Sequence, residues 1–252
     1  MTDNGRKRAL VTGASGVLGA HFARTLAHAG MNVALAARRG DRLRATVDEI
    51  VSAGGVAIAV EMDVTDPVSV ASAFAHVTDR WGGLDVLVNN AGIAATRPLI
   101  EQTEEDWSGV LDVNLSGCWR VGQAAAKLMA GSETGGVIIN IASILGLRVA
   151  THVPAYVASK AGLIHLTRAM AAELARYRIR VNALAPGYIR TDINREFFQT
   201  KAGEALVQRI PQRRLGELDD LDGPLLLLAS DASRYMTGVV IPVDGGHLCS
   251  PV

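Results

Sequence analysis

The chain has 252 residues, of which 49% are hydrophobic and 20% charged, and its 25 basic residues balance its 25 acidic ones. That is ample for a large α/β core and rather apolar for a monomer's surface, a first pointer to subunit contacts. The zero net charge offers no basic field for nucleic acid or a membrane surface, and the two cysteines, Cys118 and Cys249, form neither a disulfide framework nor a metal-ligand pattern.

A reduced, cytoplasmic compartment fits those thiols. The opening stretch Met1-Thr2-Asp3-Asn4-Gly5 lacks the apolar core of a signal peptide, and Leu225–Ala229 is too short to span a bilayer. Arg6-Lys7-Arg8 reads as a basic cluster just ahead of the first strand.

That strand is Ala9-Leu10-Val11. Thr12-Gly13-Ala14-Ser15-Gly16-Val17-Leu18-Gly19 follows as a glycine-rich turn that opens a helix to about Ala29. Such a turn aims backbone N–H groups and a helix N-terminus at a pyrophosphate. The second strand, Val33–Ala37, runs into Arg38-Arg39-Gly40-Asp41. In a dinucleotide fold an acid at this strand end binds the ribose 2′-hydroxyl of NAD, whereas arginine suits the 2′-phosphate of NADP. Ala37 stands where the acid is sought, so Arg38 and Arg39 favour NADP(H), with NAD(H) the alternative.

Asp41 is expected to cap a helix to about Ala53, ended by Gly54-Gly55. Val56–Val60 is the third strand and leads to Met62-Asp63-Val64, where Asp63 either meets an adenine amino group or caps the loop. Pro67 starts a helix through about Arg80, broken by Gly82-Gly83. Asp85–Val88 is the fourth strand and runs into Asn89-Asn90-Ala91-Gly92. Amides at a strand end satisfy backbone groups, so this turn either locks itself beside a cofactor or touches it directly. One long helix is expected from about Glu104 to Ala130, with Asn114 in apolar surroundings. A buried asparagine needs partners, in a tertiary hydrogen bond or in a proton relay.

Val137–Ile141 is the fifth strand, and Ser143 lies just past its end. Tyr156 and Lys160 stand at i and i+4, so on a helix they share a face. A free phenol titrates near ~10, but an ammonium roughly 4 Å away, at an effective dielectric of about 20, favours phenolate by up to ~4 kcal/mol. That suits general acid–base catalysis, with Ser143 placed to hold a substrate oxygen beside the phenol. The helix carrying this pair runs to about Tyr177 and is apolar almost all round, so it is expected to be buried on nearly every side. Its small residues allow close approach of a second helix and a symmetric subunit contact.

Ile179–Leu184 is the sixth strand, ended by Pro186-Gly187. Residues 192–214, with Phe197 and Phe198, read as a substrate lid. A helix at Leu218–Ala229, a strand at Val239–Val243 and a turn at Asp244-Gly245-Gly246 complete the chain. Strands and helices alternate without a linker. The expected fold is therefore α/β: a single-domain Rossmann fold over residues 1–252, a doubly wound parallel sheet of about seven strands with its site at the strands' carboxyl ends.

The chain resembles the short-chain dehydrogenase/reductase family, in its single-domain NADP(H)-preferring form, over essentially its whole length. The resemblance rests on the Thr12–Gly19 loop, Asp63-Val64, Asn89-Asn90-Ala91-Gly92, Asn114, Ser143, Tyr156-x3-Lys160 and Pro186-Gly187, in that order. It implies hydride transfer between a nicotinamide cofactor and a carbonyl or alcohol, in a homotetramer or homodimer built on the helices carrying Asn114 and Tyr156. It implies Tyr156 as general acid in reduction, Lys160 as the group that favours its phenolate and binds the nicotinamide ribose, and Ser143 as holder of the substrate oxygen. It also implies that Asn114 positions a relay water, and that Ile189 and Thr191 join the cofactor contacts, Thr191 at the carboxamide or the phosphates. One departure stands out. The family usually reads Thr-Gly-x3-Gly-x-Gly, but here the middle glycine is Gly16, and Val17 takes its place.

The expected activity is therefore an NADP(H)-linked ketone reductase or secondary-alcohol dehydrogenase. The alternatives are a 3-oxoacyl-thioester reductase and a sugar- or gluconate-type polyol dehydrogenase, and, more remotely, a non-catalytic nucleotide sensor. The pocket is expected between the loop Leu147–Pro154 and the lid, with His152 read as a solvated loop residue.

Overall fold

Seven short apolar runs align as one wholly parallel sheet. The computed structural model describes residues 5–191 and 194–249, and within them the strands are β1 (Arg8–Thr12), β2 (Asn32–Ala37), β3 (Val56–Glu61), β4 (Val86–Asn89), β5 (Gly136–Ile141), β6 (Ile179–Pro186) and β7 (Val240–Val243). Their spatial order is β3-β2-β1-β4-β5-β6-β7. The order reverses between β1 and β4, and a crevice opens at that switch point above the strands' carboxyl ends.

The helices are α1 (Val17–His28), α2 (Arg44–Ser52), α3 (Pro67–Trp81), α4 (Glu104–Leu111), α5 (Cys118–Ala130), α6 (Pro154–Leu174), α7 (Arg195–Phe198), α8 (Lys201–Val207) and α9 (Asp222–Ala229). Alternation along each strand divides the core between two faces. Val11, Val33 and Leu35 pack with Phe22 and Leu26 of α1, Ile50 of α2 and Leu225 of α9. Leu10, Ala34 and Ala36 pack with Phe74 of α3, Val121 and Met129 of α5 and Ala171 of α6. Helices cover both faces, so β2 is buried at every residue, and after Asn32 it reads as an unbroken hydrophobic run.

The termini of α3 and α4 follow from local chemistry. Asp66 caps α3 by accepting from the Val68 N–H, Pro67 supplies its first turn, and Gly82 closes it in the left-handed region at φ 75°. Thr103 and Asp106 form a reciprocal capping box at α4.

Four expectations are corrected. Asp41 does not cap α2: Gly40–Leu43 forms a 3₁₀ turn first, which places Asp41 inside that turn. The helix expected from Glu104 to Ala130 is interrupted by a π turn at Asp112–Gly117, which carries Asn114. The segment from Leu218 begins as a 3₁₀ turn (Leu218–Leu221) before α9. The helix expected to be buried on nearly every side is α6, and within the single chain it leaves Ala161, His165, Arg168 and Ala169 exposed. The fifth and sixth strands lie where the spacing puts them, and the segment read as a lid holds α7 and α8, with its Asp192 and Ile193 outside the described residues. Among the described residues, no helix is long and apolar enough to cross a membrane.

Candidate active site

The carboxyl ends of β1, β2, β4, β5 and β6 open onto one cleft of about 680 Å³. Its floor is the β1–α1 turn. Gly13 sits at φ 64°, and a Cβ there would meet the Ala91 Cα at 2.8 Å; a Cβ on Gly19 would meet the Asn90 Nδ2 at 2.7 Å. Both positions therefore demand glycine. A Cβ on Gly16 would touch only the Gly13 carbonyl oxygen, at 3.4 Å. Gly16 is the N-cap of α1 and has no side chain to cap with, so the first turn of α1 lines the cleft without a side-chain cap. Val17, at the family's glycine position, is the first residue of α1 and is 37% exposed at the cleft wall.

Asn90 holds this floor to β4. Its Nδ2 donates to the Thr12 and Gly13 carbonyls at 2.9 and 3.3 Å. The N–H groups of Asn90 and Ala91 both donate to Thr12 Oγ1 at 3.0 Å. The locking role weighed for this turn is thus present in Asn90, while Ala91 and Gly92 line the cleft beside it. Asn89 points the other way, into the core, where its Nδ2 donates to the Cys118 carbonyl and to Asn140 Oδ1, both at 3.0 Å.

At the β2 end the cleft is lined by Ala37 and Arg38, with no acid. Arg39 is exposed and outside the lining. Asp63 and Val64 form the adjacent wall. The Asp63 carboxylate accepts from the Thr65 N–H at 2.9 Å and from its hydroxyl at 2.7 Å. Burial pushes the Asp63 carboxyl up, but the Thr65 hydrogen bonds and the nearby Arg38 cation outweigh it and hold the group below the usual carboxylate range.

The other end of the cleft brings Ser143, Tyr156 and Lys160 together. Ser143 is extended at the end of β5, and its Oγ accepts from the Leu145 N–H at 3.1 Å. Tyr156 and Lys160 share one face of α6, with Lys160 Nζ 5.6 Å from the Tyr156 ring centroid. Lys160 is 4% exposed and donates to the Ile141 carbonyl at 2.8 Å. No carboxylate among the described residues forms an ion pair with it. A buried ammonium so sparsely partnered is costly unless a ligand supplies further acceptors.

Asn114 lies behind this wall and does not line the cleft. It is fully buried, and its Oδ1 accepts from the Ile93 N–H at 2.8 Å while its Nδ2 donates to the Ile93 carbonyl and to Ser159 Oγ. A Cβ on Gly92 would stand 3.4 Å from Asn114 Oδ1 and 3.5 Å from Lys160 Nζ, so the amide and the ammonium flank one glycine. The π turn bulges the helix at this point, a distortion frequent at functional sites.

Pro186 at the end of β6, with Gly187, Tyr188, Ile189, Thr191 and Asn194 beyond it, lines the cleft. Asn194 donates to the Ile189 carbonyl and accepts from the Thr191 N–H. Phe198 of α7 packs edge-on against Tyr188 at 5.9 Å. His152 is exposed and outside the lining; its carbonyl accepts from the Arg97 N–H at 2.7 Å. Sequence reasoning missed Tyr188, although it directly follows Pro186-Gly187 at a strand's carboxyl end, where a site was expected.

The residues present fit a dinucleotide: an uncapped helix start over two obligatory glycines at one end, and a buried lysine bonded to a single carbonyl at the other. Comparison with known proteins agrees. A family model described as enoyl-(acyl carrier protein) reductase matches residues 13–247. An L-rhamnose 1-dehydrogenase (NAD(P)(+)) of Azotobacter vinelandii is 40% identical over 248 residues, spanning 95% of this chain and 96% of its own. A 3-oxoacyl-acyl-carrier-protein reductase of Staphylococcus aureus is 39% identical over 241 residues, spanning 95% and 97%. Among solved structures, a short-chain type dehydrogenase/reductase from Mycobacterium marinum is 42% identical with a TM-score of 0.91, covering 96% of each chain. A gluconate 5-dehydrogenase from Burkholderia cenocepacia, in complex with NADP and tartrate, is 35% identical with a TM-score of 0.93, covering 99% of each chain.

Proposed function

Because the chain belongs to the short-chain dehydrogenase/reductase family and is an NAD(P)-dependent oxidoreductase acting on CH–OH groups, we propose that it works between NADP(H) and a ketone or secondary alcohol, with Tyr156 as its general acid and base. The nicotinamide, when bound, supplies or accepts the hydride. Everything else falls to this chain. In reduction the Tyr156 hydroxyl gives its proton to the substrate oxygen, which Ser143 Oγ holds by a second hydrogen bond; in oxidation the phenolate takes the proton back. Lys160 stands beside the phenol and offers its remaining N–H groups to the nicotinamide ribose. Asn114 positions a relay water near Lys160 and, through Ile93, fixes the loop between them. Convergence of Ser143, Tyr156 and Lys160 on one cleft is the observation that carries this reading.

The cofactor assignment follows the cleft from end to end. The turn Gly13 to Gly19, with Ser15, Gly16, Val17 and Leu18, takes the pyrophosphate. Asp63 and Val64 take the adenine, Asn90 to Gly92 the neighbouring ribose, and Pro186, Gly187, Ile189 and Thr191 the carboxamide end. Arg38, with Arg39 beside it, takes a 2′-phosphate, and Ala37 in the acid's place supports NADP(H) over NAD(H). Residues 192–214 act as a lid over the substrate within a single-domain enzyme. The free thiols support a cytoplasmic location. The matched family model and the Staphylococcus relative favour a second reading, reduction of a 3-oxoacyl thioester at the same residues.

The test is a spectrophotometric screen with both cofactors against ketones, sugar acids and 3-oxoacyl thioesters. Tyr156→Phe should lower kcat at least about 100-fold while NADPH still binds; near-full turnover by that variant would refute the mechanism. Ala37→Asp should shift preference from NADPH towards NADH, and a wild type that already prefers NADH would overturn the cofactor assignment.

A further inference from the structure

A second cavity, of about 940 Å³, lies at the opposite end of the sheet from the cleft. Its walls include Arg8, Gly136 and Ile179, the first residues of β1, β5 and β6. The basic run Arg6-Lys7-Arg8, which the hydride-transfer chemistry leaves unused, therefore enters a cavity rather than a flat surface. Six cationic side chains line this cavity against two carboxylates, on a chain whose net charge is zero. A concave wall carrying one sign of charge focuses the field and draws in counter-ions.

Both carboxylates are already taken. Asp85 accepts from Arg8 Nε and Nη2 at 2.8 and 2.9 Å, and Asp231 pairs with Lys7 at 2.9 Å. The other four cations, Arg6, Arg178, Arg180 and Arg234, form no ion pair among the described residues. Arg180 is the fixed one. It is half-buried, with Nη1 donating to Ser233 Oγ at 2.9 Å and Nη2 to the Leu228 and Ser230 carbonyls at 3.0 and 3.2 Å, and each of these partners is neutral. Burial holds its guanidinium below the usual arginine value, against the pull of Asp231. A cation desolvated in this way, with no carboxylate paired to it, gains from an anion brought beside it. Arg6 and Arg234 are exposed and hydrated; what they add is charge of the same sign around the concave wall. Tyr235 completes the rim, with its ring fully exposed.

We propose that this cavity is a second ligand site, which takes the phosphates of a nucleoside di- or triphosphate with the base against the Tyr235 ring. Guanidinium forks match phosphate oxygens in pairs, and an exposed aromatic ring offers a face on which a base stacks. Arg180 supplies the fixed charge, and the longer reach of Arg6 and Arg234 closes on the phosphates. The site lies at the strands' amino ends, so it is separate from the cleft and needs nothing from Tyr156 or Lys160.

Isothermal titration calorimetry tests this with ATP, pyrophosphate and adenosine, on the full chain saturated with NADPH so that the cleft is already filled, in magnesium-free buffer. ATP should bind, pyrophosphate should bind more weakly, and adenosine should not bind. Arg6→Gln and Arg234→Gln should each weaken ATP binding about 10- to 100-fold, the worth of a charge-assisted hydrogen bond. Tyr235→Ala should weaken ATP binding about 10-fold, the order of one lost base stack, and leave pyrophosphate binding unchanged. Arg180 is left intact, because its bonds hold the end of α9. The three variants should keep the wild-type affinity for NADPH, measured separately by nucleotide fluorescence, which shows that they are folded. Absence of ATP binding to the NADPH-saturated chain would overturn the proposal, as would ATP binding that Arg6→Gln and Arg234→Gln leave unchanged. Pyrophosphate binding as tightly as ATP would overturn it too, because the base would then contribute nothing.

Discussion

His247 shows how a single buried group couples protonation to stability. Burial lowers its imidazole pKa first, the Arg148 cation lowers it further, Asp244 opposes and Arg209 adds a little. The folded chain therefore binds a proton at His247 less readily than the unfolded chain, whose imidazole titrates near its ordinary ~6.5. For a depressed value of this kind, the stabilisation is complete above the unfolded value and is lost as pH falls through the folded one. Melting temperature should accordingly drop as pH falls below about 6.5, and His247→Asn should drop less over the same range. Parallel curves for the two proteins would contradict the burial argument. Tyr156 and Lys160 were legible because they are neighbours in sequence on one helix face. Arg148, Tyr188 and His247 were not, because the chain brings them together only through the loops after β5 and β6 and the turn after β7. Cys118 follows the same rule: its apolar helical setting was readable, and burial pushes its thiol up to about 11.

At the scale of elements, the junction between the β1 turn and the β4 turn carries the cofactor end of the cleft. The run Asn89-Asn90-Ala91-Gly92 signalled a locked turn, but which amide does the locking is a matter of strand pleat: Asn90 turns to the cleft floor and Asn89 to the core. Asn90→Ala would strip the Thr12 and Gly13 carbonyls of their side-chain donor. Leaving such acceptors unpaired costs about 1–3 kcal/mol, so urea titration should show a stability loss of that order, together with weaker NADPH binding. An unchanged midpoint and an unchanged nucleotide affinity would show that Thr12 Oγ1 holds the turn alone. Element existence and order were readable because turn residues punctuate a strict alternation of apolar runs and helical patterns. The π turn at Asp112–Gly117 was not, because Asn114 is drawn towards Ile93 and Ser159 by contacts far along the chain, and helical periodicity hardly registers one widened turn. The 3₁₀ turns before α2 and α9 escaped for a similar reason: both interrupt an otherwise continuous helical pattern.

For the whole molecule, the expectation of subunit contacts is tested on the faces that the single chain leaves open. The chain is neutral overall, yet it exposes Trp107 on α4, Trp119 on α5 and, on α6, Ala161 and Ala169. If a second copy of the chain covers the part of α6 that holds Ala161, His165, Arg168 and Ala169, the burial expected of that helix is met in the assembly. Small side chains there let two helices approach at about 8–10 Å, the usual packing distance. A self-complementary patch of this kind closes into a dimer about a two-fold axis, and a second patch would extend it to a tetramer. Light scattering should therefore give a dimer or tetramer, not the single-chain mass of 26.5 kDa. Ala169→Glu should shift that mass towards the single chain, because it buries an unpaired carboxylate in a helix–helix contact, at a cost of about 3–5 kcal/mol for each uncompensated charge. The same variant should make the melting temperature independent of protein concentration, whereas the assembled wild type gains stability as concentration rises. A wild type that scatters as one chain would assign the exposed tryptophans to another role and remove the subunit contact altogether. An Ala169→Glu protein that keeps the wild-type mass would move the contact off α6, to the surfaces of α4 and α5 that carry Trp107 and Trp119.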